Sequence, residues 1–213
     1  MAMTGYNPEE VRESINNSVN AYRAYNSAMN TGIQVQFVRP MENVWACEEA
    51  QRVFGEHKTA MDEIYRQFND FFASLVSVMN AGGSRWAAAT ESSYTPTNYD
   101  VIPNAVDVSG IRVDINGVKG IDKQQADQIA TCLPRIAQEA TTALNNLSTA
   151  VNRCGFIGDD QQETLTNSIN NIRTTTQQYI QDLTTKFRNN VNSTVEKYGE
   201  TALTTKSSFE VQQ

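Results

Sequence analysis

The chain holds a single histidine, His57, and three cysteines, Cys47, Cys132 and Cys154, none of them in a Cys-x-x-Cys pair. That shortage argues against a metal site of the zinc kind, which draws on closely spaced thiolates and imidazoles. It also leaves little for a cysteine–histidine nucleophile. The separation of Cys47 from His57 is roughly 15 Å along a helix rising about 1.5 Å per residue, which is beyond contact. Positive charge is scarce as well. Seventeen Lys and Arg face 24 Asp and Glu, for a net charge of −7 and a pI near 4.8. Attraction to phosphate supplies most nucleic-acid affinity, so nucleic acid is not an expected partner. Anionic membrane surfaces are disfavoured on the same ground. The longest apolar run, Phe71 to Met79, falls far short of the roughly 20 residues that span a bilayer. The opening MAMTGYNPEEVRE has neither a basic segment nor an apolar one, so no classical signal peptide is expected.

What the chain does have is apolar residues at helical spacing. Asn7 is a good N-cap, Pro8 suits the first helical position, and Glu10 stands where a capping box needs an acid. Val11, Ile15, Val19, Tyr22, Met29, Ile33 and Phe37 then follow at intervals of three, four or seven. The piece IQVQF also alternates, so a strand competes locally, but the length favours a helix. Pro40 should end or kink it near Arg39. A second helix is expected from Trp45–Glu48 to about Asn80. Its stripe includes Phe54, Met61, Tyr65, Phe68, Phe72, Leu75 and Met79, the most aromatic face in the chain. Such a face reads as core, with a partner or lipid groove as the alternative. Gly82-Gly83-Ser84 is the expected stop.

Residues 82–120 differ in kind, with Pro96, Pro103 and much Gly, Ser and Thr. Asn116-Gly117 is a hairpin-turn signal inside GIRVDINGVKG. A loop this long inside a compact domain is unusual, so it reads as a linker carrying one small β-hairpin. A third helix opens at Asp122 with Gln125 three residues on, and Pro134 should kink or restart it. A fourth carries Leu165, Ile169, Ile172, Thr176, Tyr179, Leu183, Phe187, Val191, Val195 and Tyr198 on an otherwise Asn-, Gln- and Thr-rich helix. A narrow seam on a polar helix is the pattern of a long bundle or coiled coil.

Two corners recur. NVWACEEAQRVF, residues 43–54, and GFIGDDQQETL, residues 155–165, each run aromatic-x-small and then acid-acid. At the offset of 111 residues between Trp45 and Phe156, Phe54 falls on Leu165, Met61 on Ile172, Phe68 on Tyr179, Phe72 on Leu183 and Val76 on Phe187. The register supports an internal duplication, and duplicated corners are rarely catalytic.

The first half, with its NPEEVRE start, Trp45 at the corner and AQRVF after it, resembles the WXG family, the small ESX proteins of type VII secretion. That family consists of helical hairpins with a Trp-x-Gly turn. Cys47 stands where the family has Gly. The second half resembles a diverged copy, with Phe156 in place of the Trp and Gly158 kept. The resemblance implies three segments: a first hairpin at 1–81, a linker at 82–120 and a second hairpin with its tail at 121–213. The implied fold is all-α, with two antiparallel hairpins paired within one chain as an elongated four-helix bundle. The linker must then run the length of helices of roughly 52 Å, and it can extend well over about 100 Å at about 3.3 Å per residue. The family also carries a Tyr-x-x-x-acid export signal after its last helix. Tyr198 fits that signal, but Ala202 stands where the acid belongs. In an antiparallel pairing Trp45 and Tyr198 share one end, as in the family's composite recognition surface.

The resemblance therefore implies a non-enzymatic cargo, escort or effector without a cofactor, acting through protein–protein contacts. It would be secreted from a bacterial cytoplasm by the type VII machinery or with a cognate secreted partner. The alternative is a membrane-active or structural bundle that releases its aromatic second helix to lipid. The acid pairs Glu48–Glu49 and Asp159–Asp160 resemble acid–base couples, but acids at helix N-termini also complement the helix dipole, and that reading is preferred. His57 is expected at the surface or its boundary. The same pairing puts Cys132 near Cys47, where a disulfide leaving Cys154 free is conceivable, but three free thiols are the favoured state.

Overall fold

The structure is a computed structural model. It describes residues 7–154 and 159–210, and within the latter stretch the side chains of 163–201. The fold is all-α, mainly helical with a small two-stranded sheet. Helix α1 spans Pro8–Asn26 and continues into wider π-helical turns at Ser27–Gly32 and Gln34–Val38. A short turn, α2 (Arg39–Met41), leads to β1 (Trp45–Ala46) and then to the long α3 (Glu48–Ala89). After an extended stretch come β2 (Gly120–Ile121), α4 (Lys123–Ala130), α5 (Leu133–Asn152) and α6 (Asp159–Glu210).

The caps form where the sequence places them. Asn7 accepts from the backbone N–H groups of Glu9 and Glu10. Asp122 accepts from the Gln125 N–H, and the Gln125 side chain reaches back to its second oxygen. Between Asn26 and Arg39 the chain does not stay α-helical, and its core residues recur there at a four-residue step. Met29, Ile33, Phe37 and Met41 are all fully buried at steps of four. On an α-helix each such step overshoots a full turn by about 40°. The wider i→i+5 winding takes up that drift and keeps the four on one face.

The chain divides into two compact units. The first comprises residues 1–29, 62–104 and 137–178, and the second 30–61, 105–136 and 179–213. In the first, α1 is bonded to three other helices. Tyr22 donates to Asn69 on α3 (2.7 Å). Ser14 donates to the Ala150 carbonyl on α5 (2.5 Å). Tyr25 shares a hydrogen bond with Thr176 on α6 (2.9 Å). The core here is aromatic: Tyr22 stacks on Phe72 at 4.2 Å, and Tyr25 lies 4.2 Å from Phe68. Thr176, the one soft position in the α6 seam, is buried at 1 % exposure because Tyr25 satisfies its hydroxyl.

Helix α3 does not stop at Gly82-Gly83-Ser84 but runs on to Ala89. Two mid-helix glycines each cost about 1 kcal/mol against Ala, and packing offsets part of that. A Cβ on Gly83 would stand 2.5 Å from Cζ of Tyr94, so the bare backbone gives the returning chain its seat. Alanines at 87–89 then extend the helix, and Glu91 turns the chain with a φ of 54°.

In the second unit the Asn116-Gly117 signal forms a tight turn. Both residues have positive φ, 54° and 79°, the requirement of a type I′ turn. Ile115 and Val118 exchange both backbone hydrogen bonds across it. The strand beyond the turn pairs with the chain's Trp corner, antiparallel, with Trp45 opposite Ile121 and Ala46 opposite Gly120. At Pro134 the helix restarts: α4 ends at Ala130, and Pro134 sits in the first turn of α5, where its missing N–H costs nothing.

Candidate functional site

The Trp45 corner is the best-built polar and aromatic locus in the second unit. Trp45 is fully buried. Its indole stands edge-on to Phe187 (5.7 Å, 80°) and Phe54 (6.3 Å, 70°), and Phe37 lies edge-on to Phe187 in the same cluster (5.3 Å, 70°). Such edge-to-face pairs add about 0.5–1.5 kcal/mol each beyond area burial. The indole N–H has no acceptor among the described residues. From below, the linker clamps the corner through β2 and through the Asp122 N–H, which donates to the Val44 carbonyl (2.9 Å). One residue, Asp122, thus both pins the corner and caps α4.

Cys47 follows, 3 % exposed, with its carbonyl taking the Gln51 N–H at the start of α3. Tyr198, half-buried on α6, lies beside it. Burial raises the Tyr198 phenol above its ordinary range, and the neighbouring Cys47 and Glu48 add to the rise while Lys119 opposes it. Glu48 forms an ion pair with Lys119, which arrives from the hairpin segment. That hydrogen bond is the main reason the Glu48 carboxyl lies below its usual value. The neighbouring Glu49 is held low chiefly by its hydrogen bond to Arg52. Both acids of the first pair are therefore ion-paired at the helix start. The structure brings Trp45, Cys47, Glu48, Lys119 and Tyr198 together at one corner. Phe156 and Gly158 lie outside the described residues, as do the side chains of Asp159 and Asp160.

All three cysteines are free thiols, Cys47 and Cys154 buried and Cys132 half-buried. Cys132 donates to the Gln36 carbonyl (3.5 Å), and burial raises its thiol above the ordinary value. Among the described residues no group of three or more His, Cys, Asp or Glu is placed to hold a metal ion.

No family model, curated protein or solved structure matches the chain.

His57 departs from expectation. It is 4 % exposed rather than at the surface or boundary. Its ring stacks on Tyr179 (5.5 Å, 12°) and faces the edges of Phe37 and Phe54. The Tyr179 hydroxyl bonds its Nδ1. Desolvation, with a smaller push from Lys58, lowers His57 to about 4. Its position between Phe54 and Met61 on the α3 stripe was the available signal, because that spacing places it on the core face.

Sequence reasoning also missed a set of buried or half-buried amides on the π-helical turns after α1 and on α3. Asn30 accepts the Ala105 N–H (2.9 Å), and Gln34 takes the Asp107 N–H while donating to its carbonyl. In the first unit Asn69 and Asn80 do the same work on the extended segment after α3. Amides standing inside or beside an apolar stripe were the signal.

Proposed function

We propose that the chain is a non-enzymatic secreted protein of the type VII kind, a tandem pair of WXG-like hairpins acting through its helical surfaces. The observation that carries the reading is the corner. Trp45, at the place of the family's turn, lies in the same compact unit as Tyr198, the tyrosine that fits the family's export signal. Ala202 leaves that signal without its acid, and Glu48 supplies a carboxylate in space beside Tyr198 instead. The bonding of α1 to α3, α5 and α6 supports intramolecular pairing of the two hairpins as a four-helix bundle.

The membrane-active alternative is the weaker reading. It requires Phe54, Phe68 and Phe72, each 1 % exposed or less, to leave a packed core. No helix among the described residues is long and apolar enough to cross a membrane. The test is expression in a bacterium with a type VII system, with and without its ATPase. The reading expects the chain in the medium only when the ATPase is present. Export without the ATPase, or leakage from liposomes treated with the purified chain, turns the reading toward the alternative.

A further inference from the structure

The segment after α3 is extended, and among the described residues of the first unit it has no neighbouring strand. Its backbone groups still need partners, because an unmet buried N–H or carbonyl costs about as much as a lost hydrogen bond. Helix side chains meet that need. The Asn80 amide accepts the Thr97 N–H (3.0 Å) and donates to the Thr97 carbonyl (2.9 Å). The Tyr22 hydroxyl accepts the Ile102 N–H (2.8 Å), Asn69 donates to the Ile102 carbonyl (3.1 Å), and Tyr22 donates to Asn69 to close the ring. Each pair of bonds copies what an adjacent β-strand offers one residue.

Two tyrosines anchor the segment. Tyr94 lies over the bare backbone of Gly83 and donates to Asn80 (2.8 Å). Tyr99 stands edge-on to Phe72 (4.9 Å, 89°) and to Tyr22 (5.5 Å, 78°). Between and beyond them the side chains of Thr95, Pro96, Asn98, Asp100 and Val101 are exposed. The grip is thus on backbone plus two rings.

We infer that this face of α1 and α3 is a binding groove for extended peptides, reading backbone and two aromatic rings five residues apart, and that the chain's own segment 94–102 occupies it in cis. A strap held this way, with little apolar burial, belongs to the part of a fold that opens locally before the helices do. An extended segment of another protein with aromatics at the same spacing competes for the same amides, by the logic of strand addition. The inference is independent of the export reading, since it concerns what the helices hold and not how the chain travels.

The test uses the full chain with residues 94–102 replaced by an equal length of Gly and Ser. A fluorescent synthetic peptide of residues 93–104 is titrated in and read by anisotropy. Saturable one-to-one binding is expected. Tyr99→Ala in the peptide, or Asn80→Ala in the protein, should each weaken it about tenfold, the effect of losing roughly 1.4 kcal/mol. Alanine at the peptide's exposed positions 95 and 98 should change little. A helical, folded variant that shows no saturable binding overturns the inference. If the replaced chain does not fold, hydrogen exchange on the intact protein decides. The Thr97 and Ile102 amides should exchange well ahead of those in the middle of α1, and exchange only with global unfolding overturns the groove as an exchangeable site.

Discussion

Lowering pH should destabilise this protein through one residue before its carboxylates respond. His57 is the only histidine. In the folded chain it is buried among Phe37, Phe54 and Tyr179, and among the described residues the charged group acting on it is Lys58, of its own sign. Burial and Lys58 lower its pKa from an ordinary 6.5 to about 4. The unfolded chain therefore binds a proton between those values that the folded chain refuses, and stability falls as pH falls across that window. The stabilisation of the neutral imidazole is fully present above pH 6.5 and is lost on the way down to about 4. At 1.36 kcal/mol per pH unit, the loss is about 3 kcal/mol. The assay is urea unfolding at a series of pH values for the wild type and for His57→Gln. The variant should be less stable near neutrality by about 1–2 kcal/mol, having lost the bond to Tyr179. Its stability should then be nearly flat between pH 6.5 and 4 while the wild type's declines. Parallel curves for the two proteins would refute the reasoning, because the slope would then belong to other groups.

Glycine substitutions on α3 should act with opposite signs. Gly55 has nothing within 4 Å of an added Cβ, so Gly55→Ala should gain about 1 kcal/mol of helix propensity. Gly83→Ala should lower Tm instead, by forcing Tyr94 off its seat. At the corner, Trp45→Ala should cost about 3–5 kcal/mol as a large core truncation. Trp45→Phe should cost far less, because it also removes a buried N–H without an acceptor. A thiol reagent on the native protein should label Cys132 first, with Cys47 and Cys154 reacting only on unfolding. Peptide mapping that finds Cys47 labelled early contradicts the buried corner.

The helical class and most of the core were legible because apolar spacing reports burial directly. The α6 seam shows both the strength and the limit of that reading. Ile169, Leu183, Phe187 and Val191 are buried as the spacing requires. At two other places the neighbour one residue away, Ile180 for Tyr179 and Thr194 for Val195, carries the burial. A period read from sequence fixes a face to within about one residue. The π-helical turns at 27–38 were not legible, because the four-residue step of Met29, Ile33, Phe37 and Met41 also occurs on ordinary α-helix, as at Leu183, Phe187 and Val191. The end of α3 was misjudged at Gly83 because the compensating partner, Tyr94, comes after the helix and reaches it only through tertiary packing. The linker's hydrogen-bond partners escaped notice for a related reason. Asn and Gln on a helix read as solvated until the folded chain puts a backbone beside them. At the corner, the antiparallel pairing already put Trp45 and Tyr198 at one end, and the fold keeps them in one compact unit, but the ion pair of Glu48 with Lys119 depends on the hairpin's register, which no local pattern specifies.

The most direct test of the proposed reading, in which Tyr198 carries the export signal, is the secretion of a Tyr198→Ala variant whose Tm and helicity match the wild type. The account predicts a folded protein that stays inside the cell while the wild type reaches the medium. Equal amounts of variant and wild type in the medium would contradict it, and the Trp45 corner would then be a structural turn alone.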